Sequence, residues 1–429
     1  MTSKSGLSRR LGLWATTMAG VGTILGIGIY VLIGIAAGEA GNAVWLSFLI
    51  AAIVAGFTGI SYARLSRLRQ KDAPEFQYMS MAFGNTTGFL AGWMILWATV
   101  ISLAAVSLGF AGYMERIAGF PHLAVAMGLI VFCSFVVFIG LGQSIILSGI
   151  LTVFAAAGLV LITGIGIPSL GQVNLLEMPD GISGVIGAAP LVFFAYLGFE
   201  AIANLAEEMK NPQRDLPRAI LMALGFSMVL YLLVSISAVS VLGWQDLSQS
   251  SGPLAAVASR LMGAKVDIII SLIALASTGN NVLLLLFSSS RAMWAMSCAG
   301  ALPMTFCVIG ENRRTPWFTI ILVGLVAGSF VFFRSIEDIA RYTNFATLLV
   351  FAGVNASALK IFVSGKKAAG QLINVFADVI LPASGMLTSL WLAISLGWQA
   401  ALFGLILLAS GVLAYFIFKR LRDHASVPS

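Results

Sequence analysis

Residues 192–218 read VFFAYLGFEAIANLAEEMKNPQRDLPR, an order at odds with an uninterrupted membrane helix. An apolar run meets Gly198 and Glu200 and then passes into a dense mixture of charges. Gly in a helix interior costs about 1 kcal/mol relative to Ala, and an ionisable group at membrane depth marks function by default. The stretch predicts a helix broken around Ala195–Gly198. Irregular backbone at that depth must be buried in protein or line a cavity.

The rest of the chain supplies the membrane. Hydrophobic residues make up 59% of its 429 residues and charged ones 10%, with a mean hydropathy of +0.99, too apolar for a soluble globular domain. One crossing takes roughly 20 apolar residues. About twelve such stretches occur, near 11–38, 43–65, 83–114, 121–141, 144–167, 183–205, 217–242, 265–296, 316–333, 340–363, 376–396 and 398–418. Short connections leave no room for a separate soluble unit, so residues 1–429 read as one all-α membrane domain embedded in a lipid bilayer. The first apolar run exceeds the ~7–15 residues of a signal h-region and is read as a retained span.

With the N-terminus in the cytoplasm, all 24 Lys and Arg residues except Arg116, Arg260, Lys265, Arg334 and Arg341 fall on the cytoplasmic side. That is the positive-inside pattern, with both termini cytoplasmic in a cell (plasma or inner) membrane. The same bias explains the net charge of +7 without a nucleic-acid partner. Cys133, Cys298 and Cys307 are scattered and lack metal-ligand spacing, which argues against a disulfide framework or a zinc site. With no Ser/His/Asp constellation and no strand-led phosphate loop in view, the reading is not an enzyme, and no cofactor or metal is implied.

The first span repeats the anomaly. GVGTILGIGIY, residues 20–30, packs Gly20, Gly22, Gly26 and Gly28 into one would-be helix. Small residues of this kind also serve close helix packing; the alternative is unwinding near Gly26–Ile27–Gly28. Interruptions in spans one and six are five spans apart, the mark of an inverted repeat whose broken helices meet near the midplane around a substrate. Repeat one then covers about 11–167, repeat two about 183–363, and two extra helices about 376–418.

LGIGIYVLIGIAAGEAG at 25–41 resembles the first-helix signature of the amino acid/polyamine/organocation (APC) superfamily. FFAYLGFEAIANLAEEMKNPQRDLPRAI resembles that superfamily's sixth-helix signature, and SSSRAMWAMSCAGALP the end of its eighth helix. The resemblance implies the five-plus-five fold with two added C-terminal helices and, as activity, amino acid transport. It also points to the carbonyls of Ile24, Phe194 and Leu197 as partners of a substrate ammonium.

Physical chemistry adds the other half of the site. Half-helix N-termini present N–H groups and partial positive charge to a carboxylate, and Ile27 and Gly28 are the candidates. A Cβ at Gly26 or Gly28 would then obstruct both turn and ligand. Phe194, Tyr196, Trp97 and Ser277 are candidates for the side-chain pocket. No further acid is present to select a cationic substrate, which favours a neutral amino acid over a cationic one or a polyamine.

For coupling, Glu200 is either a cap on the second half-helix or a proton-coupling group. Ala155 stands where some proton-coupled relatives carry a Lys. Ser277 and Thr278 are candidate hydroxyl ligands for sodium together with first-span carbonyls, so proton symport, sodium symport and exchange all stay open. Glu207, Glu208, Lys210, Arg214, Asp215 and Arg218 form either a solvated face or an ion-pair latch at the inner gate, with Pro217 opening the next helix. Residues 115–122 contain no Cys, so no disulfide-linked accessory subunit is expected. A nutrient sensor of the same fold would add a signalling segment beyond the short tail after the last span.

Overall fold

The computed structural model describes residues 11–26, 28–250, 252–310, 315–333, 335–368 and 371–425, so Ile27 and Arg334 lie outside the described residues. The helices follow in the order α1 (Leu13–Ile24), α2 (Ile33–Ala40), α3 (Val44–Leu65), α4 (Pro74–Phe83), α5 (Asn85–Ala118), α6 (His122–Ile139), α7 (Leu141–Gly166), α8 (Gly181–Val192), α9 (Pro212–Gln249), α10 (Pro253–Met262), α11 (Ala264–Cys298), α12 (Trp317–Phe330), α13 (Ile336–Ala368), α14 (Leu381–Ser395) and α15 (Trp398–Ala425). No strand is formed among the described residues, apart from one isolated bridge between Leu11 and Met209.

Among the described residues, ten helical stretches are long and apolar enough to cross a membrane. The first, Leu13–Leu65, holds two of the expected spans, because the chain folds back at Gly41, whose φ of 68° suits a residue without a Cβ. α12 falls short of that length at 14 residues and runs on into a short 3-10 turn, Val331–Phe333. The interrupted elements are therefore the first and sixth spans, the spacing of a five-plus-five inverted repeat with α14 and α15 added. α1 packs on α7, α9 and α11, while α5 runs beside α11 through the centre.

Two sequence expectations change. The helix after the charged segment opens at Pro212, not Pro217: Pro212 occupies the first turn, where its missing N–H costs nothing. Pro217 sits within α9, which bends at Gly243 (φ 72°). Cys298 and Cys307 are joined by a disulfide, their Cα atoms 5.1 Å apart. The chain reverses at Gly300 (φ 75°), so two cysteines that look unrelated in sequence return to one place beyond α11.

A buried carboxylate anchors the added helices. Asp378 binds Arg64 at 2.5 Å and Lys366 at 2.7 Å and accepts the Asn374 N–H at 2.8 Å, tying the start of the eleventh span to the ends of α3 and α13.

Candidate substrate site

α1 ends at Ile24, and Leu25 is extended (φ −71°, ψ 99°). Carbonyls at a helix end lack partners in their own turn, and three consecutive ones at this end, those of Thr23, Ile24 and Leu25, are taken by side chains from elsewhere. Asn281 Nδ2 donates to the Thr23 carbonyl, Tyr231 Oη to that of Ile24 at 2.7 Å, and Ser277 Oγ to that of Leu25 at 3.0 Å. Each carbonyl keeps a second lone pair, so the cluster can accept one more donor apiece. The Ile24 carbonyl is thus at a helix end, as expected, and already holds Tyr231.

The sixth span breaks in the same manner. α8 tightens into a 3-10 turn, Phe193–Tyr196; Leu197 is extended (ψ 146°), Gly198 has φ 118°, and a 3-10 segment runs from Glu200 to Glu208. Only Gly is comfortable at that φ, and a Cβ there would also lie 2.6 Å from the Thr23 carbonyl oxygen. Thr23 Oγ1 donates to the Gly198 carbonyl at 3.0 Å, bonding one break to the other. The Gly198 N–H in turn donates to Glu200 Oε2 at 2.9 Å, so this buried carboxyl caps the break.

Ile24, Gly26, Gly28, Phe194 and Leu197 line one small cavity between the breaks, joined by Thr23, Ser102, Asn281 and Leu285. None of these side chains is charged. The cavity measures about 20 Å³, room for a water-sized molecule and too little for an amino acid. The site must widen to receive one. An added Cβ at Gly28 would meet the Cα of Ala195 at 2.2 Å, so protein backbone, rather than the ligand expected from the sequence, excludes it.

Other candidates lie elsewhere. Tyr196 Oη donates to the Phe48 carbonyl at 3.1 Å, and Trp97 packs edge-on against Trp93 at 5.4 Å. Thr278 spends its hydroxyl on the Ala274 and Leu275 carbonyls of its own helix at 2.7 and 3.3 Å, whereas Ser277 does reach the first span. Asn281 escaped sequence reading although it lies one helical turn from Ser277, and that i, i+4 relation was the available signal.

Ion pairs hold both ends of the broken pair. At the basic face, Arg291 from α11 lies 3.3 Å from Glu208, with side chains only 3% and 2% exposed. Beside them the Leu11 N–H donates to the Glu208 carbonyl and the Lys210 N–H to that of Leu11. Arg214, by contrast, is solvated and lies 3.9 Å from Asp215. Asp72, between α3 and α4, is held well above the ordinary carboxylate range, chiefly by burial and then by the charge of Glu207, against the pull of Arg291. At the opposite end Arg341 binds Glu39 at 2.6 Å and Glu337 at 3.0 Å, with Arg341 22% and Glu39 32% exposed.

A family model described as amino acid permease matches residues 11–425. The chain is 26% identical to the branched-chain amino acid permease BcaP of Bacillus subtilis (strain 168), over 98% of this chain and 95% of that protein. It is 30% identical to the methylthioribose transporter of the same organism, over 97% and 95%. It is also similar to the vacuolar cationic amino acid transporter 2 of Arabidopsis thaliana, 29% identical over 82% of this chain and 60% of that protein.

Proposed function

The chain belongs to the amino acid permease family, and on that premise we propose that it carries neutral amino acids across the cell membrane by alternating access, coupled to protons. One observation carries this reading: the cavity where the breaks meet has an uncharged lining, and the sixth-span break that helps form it is capped by the carboxyl of Glu200. The substrate carboxylate is assigned to the N–H groups near Gly26, Ile27 and Gly28, and its ammonium to the carbonyls of Ile24, Phe194 and Leu197. Ser102 and Leu285 then bound the side chain. A site for a cationic substrate would need a carboxylate in that lining, and the branched-chain permease among the relatives supports the neutral choice.

Protonation of Glu200 weakens the charge-assisted bond it takes from the Gly198 N–H, which links proton occupancy to the backbone that forms the site. The basic face is assigned to the cytoplasm, with both termini there, and the repeats to about 11–167 and 183–363, followed by the helices of 376–418. The Glu208–Arg291 pair then closes the cytoplasmic end and Glu39–Arg341 the outer one. Sodium coupling is the second reading, favoured by the bond of Ser277 to the Leu25 carbonyl.

The test is uptake by purified protein in liposomes, with labelled amino acids under imposed proton or sodium gradients. Glu200→Gln is expected to keep exchange and lose proton-driven accumulation. Driven uptake by this variant with an unchanged pH response rules out Glu200 as the coupling group, and a preference for cationic amino acids overturns the substrate assignment.

A further inference from the structure

We propose that Glu75 is a second proton site of the transport cycle, joined to Glu200 through Tyr62 and forming the cytoplasmic end of a short relay; this rests on the reading of Glu200 as the coupling group. Glu75 lies in the first turn of α4, outside the spans, yet is only 2% exposed. Tyr62 Oη, fully buried on α3, donates to its Oε1 at 2.8 Å. The Tyr62 ring packs edge-on against Phe199 at 5.6 Å, the residue next to Glu200. Tyr62 thus stands between Glu75, which it bonds, and the start of the 3-10 segment that carries Glu200.

A carboxyl with these neighbours is poorly placed for a structural task. The titratable groups facing Glu75 are Tyr62 from α3, Glu200 from the 3-10 segment and Tyr78 on its own helix, and no basic side chain pairs with it among the described residues. Burying an unpaired carboxylate costs more than burying an amide of the same shape. Burial pushes the Glu75 carboxyl up to about 8, its own backbone amide and Tyr62 pull it down, and Glu200 adds a smaller upward push. It therefore exchanges protons near physiological pH. Three residues away, Asp72 is buried with Oδ1 unbonded and lies in the field of Glu207, which is half-buried at the basic face.

The step balances without a co-reactant. Glu75 first releases its proton to the cytoplasmic solution; then one O–H bond breaks at Glu200 and one forms at Glu75. Tyr62 begins and ends as a neutral phenol, and nothing is oxidised or reduced.

The experiment compares proton-driven uptake with substrate counterflow, which needs no net proton release, in the same liposomes. Glu75→Gln and Tyr62→Phe are each expected to lose driven uptake and flatten its dependence on internal pH while retaining counterflow. Wild-type driven uptake and pH profile in both variants overturn the relay and leave Glu200 untouched. Wild-type protein indifferent to a proton gradient overturns the relay and the coupling reading together. Should Glu75→Gln also lose counterflow, Tyr62→Phe decides, and its driven uptake at wild-type level overturns the proposal.

Discussion

A β-carbon on Gly28 would lie 2.2 Å from the Cα of Ala195, so the two helix breaks press backbone against backbone. Gly28→Ala is therefore expected to force the breaks apart, at an overpacking cost of about 1–3 kcal/mol, with loss of uptake; Gly28→Val should be worse. Gly225, within α9, where an added Cβ meets nothing within 4 Å, is the control, and Gly225→Ala should transport like the parent and melt no lower. Equal melting temperatures for Gly28→Ala and Gly225→Ala would contradict the close approach.

Glu208 and Arg291 form a desolvated pair, and removing one member leaves the other buried and charged. Arg291→Met and Glu208→Gln, each alone, should destabilise the protein by about 3–5 kcal/mol. Glu208→Gln with Arg291→Met should recover much of that loss, because the double change removes both charges. Thermal melts of the two singles and the double give the coupling energy, and additive effects would show that the pair carries none.

The stability of the protein should fall as pH rises between 4.5 and about 8, through Glu75. In that window the unfolded chain has released the Glu75 proton and the folded one retains it, so folding binds protons and higher pH opposes it. Below the window both states are protonated, and above it the loss is complete. Glu75→Gln should flatten this part of a melting-temperature profile. An undiminished slope in the variant assigns the dependence to other groups.

Protein purified without reductant should show neither Cys298 nor Cys307 alkylated, while a reducing agent should expose both to labelling. Cys133 is buried in both conditions and should stay unlabelled until unfolding. Peptide mapping after differential alkylation checks this. Labelling of Cys298 before reduction would mean that the pair is open in the isolated protein.

Both interruptions were legible because glycine, and beside one of them a glutamate, stood inside long apolar runs, and no ordinary span tolerates that density of exceptions. Their partners were harder to read. The residues that bond the ends of α1, Tyr231, Ser277 and Asn281, come from two helices far along the chain. A polar residue on a long apolar helix looks the same whether it bonds its own backbone, as Thr278 does, or another span. Arg291 carried a stronger signal, a guanidinium within an apolar stretch, but its pairing with Glu208 depends on tertiary packing. The small volume of the cavity, set by how closely Gly28 meets Ala195, leaves no trace in hydropathy.

The two ion pairs that hold the broken helices differ in their contact with the medium. Exposed charges are screened over a Debye length of about 8 Å at physiological ionic strength, and buried ones much less. Glu39 and Arg341 are open enough for dissolved ions to compete with their attraction, whereas Glu208 and Arg291 are sealed from electrolyte. Raising the salt concentration therefore loosens one end of the path and leaves the other shut. If the pairs close the two ends of the path as proposed, the ionic composition of the bathing solution is expected to bias which side the resting molecule opens towards, before any substrate or coupling ion has bound.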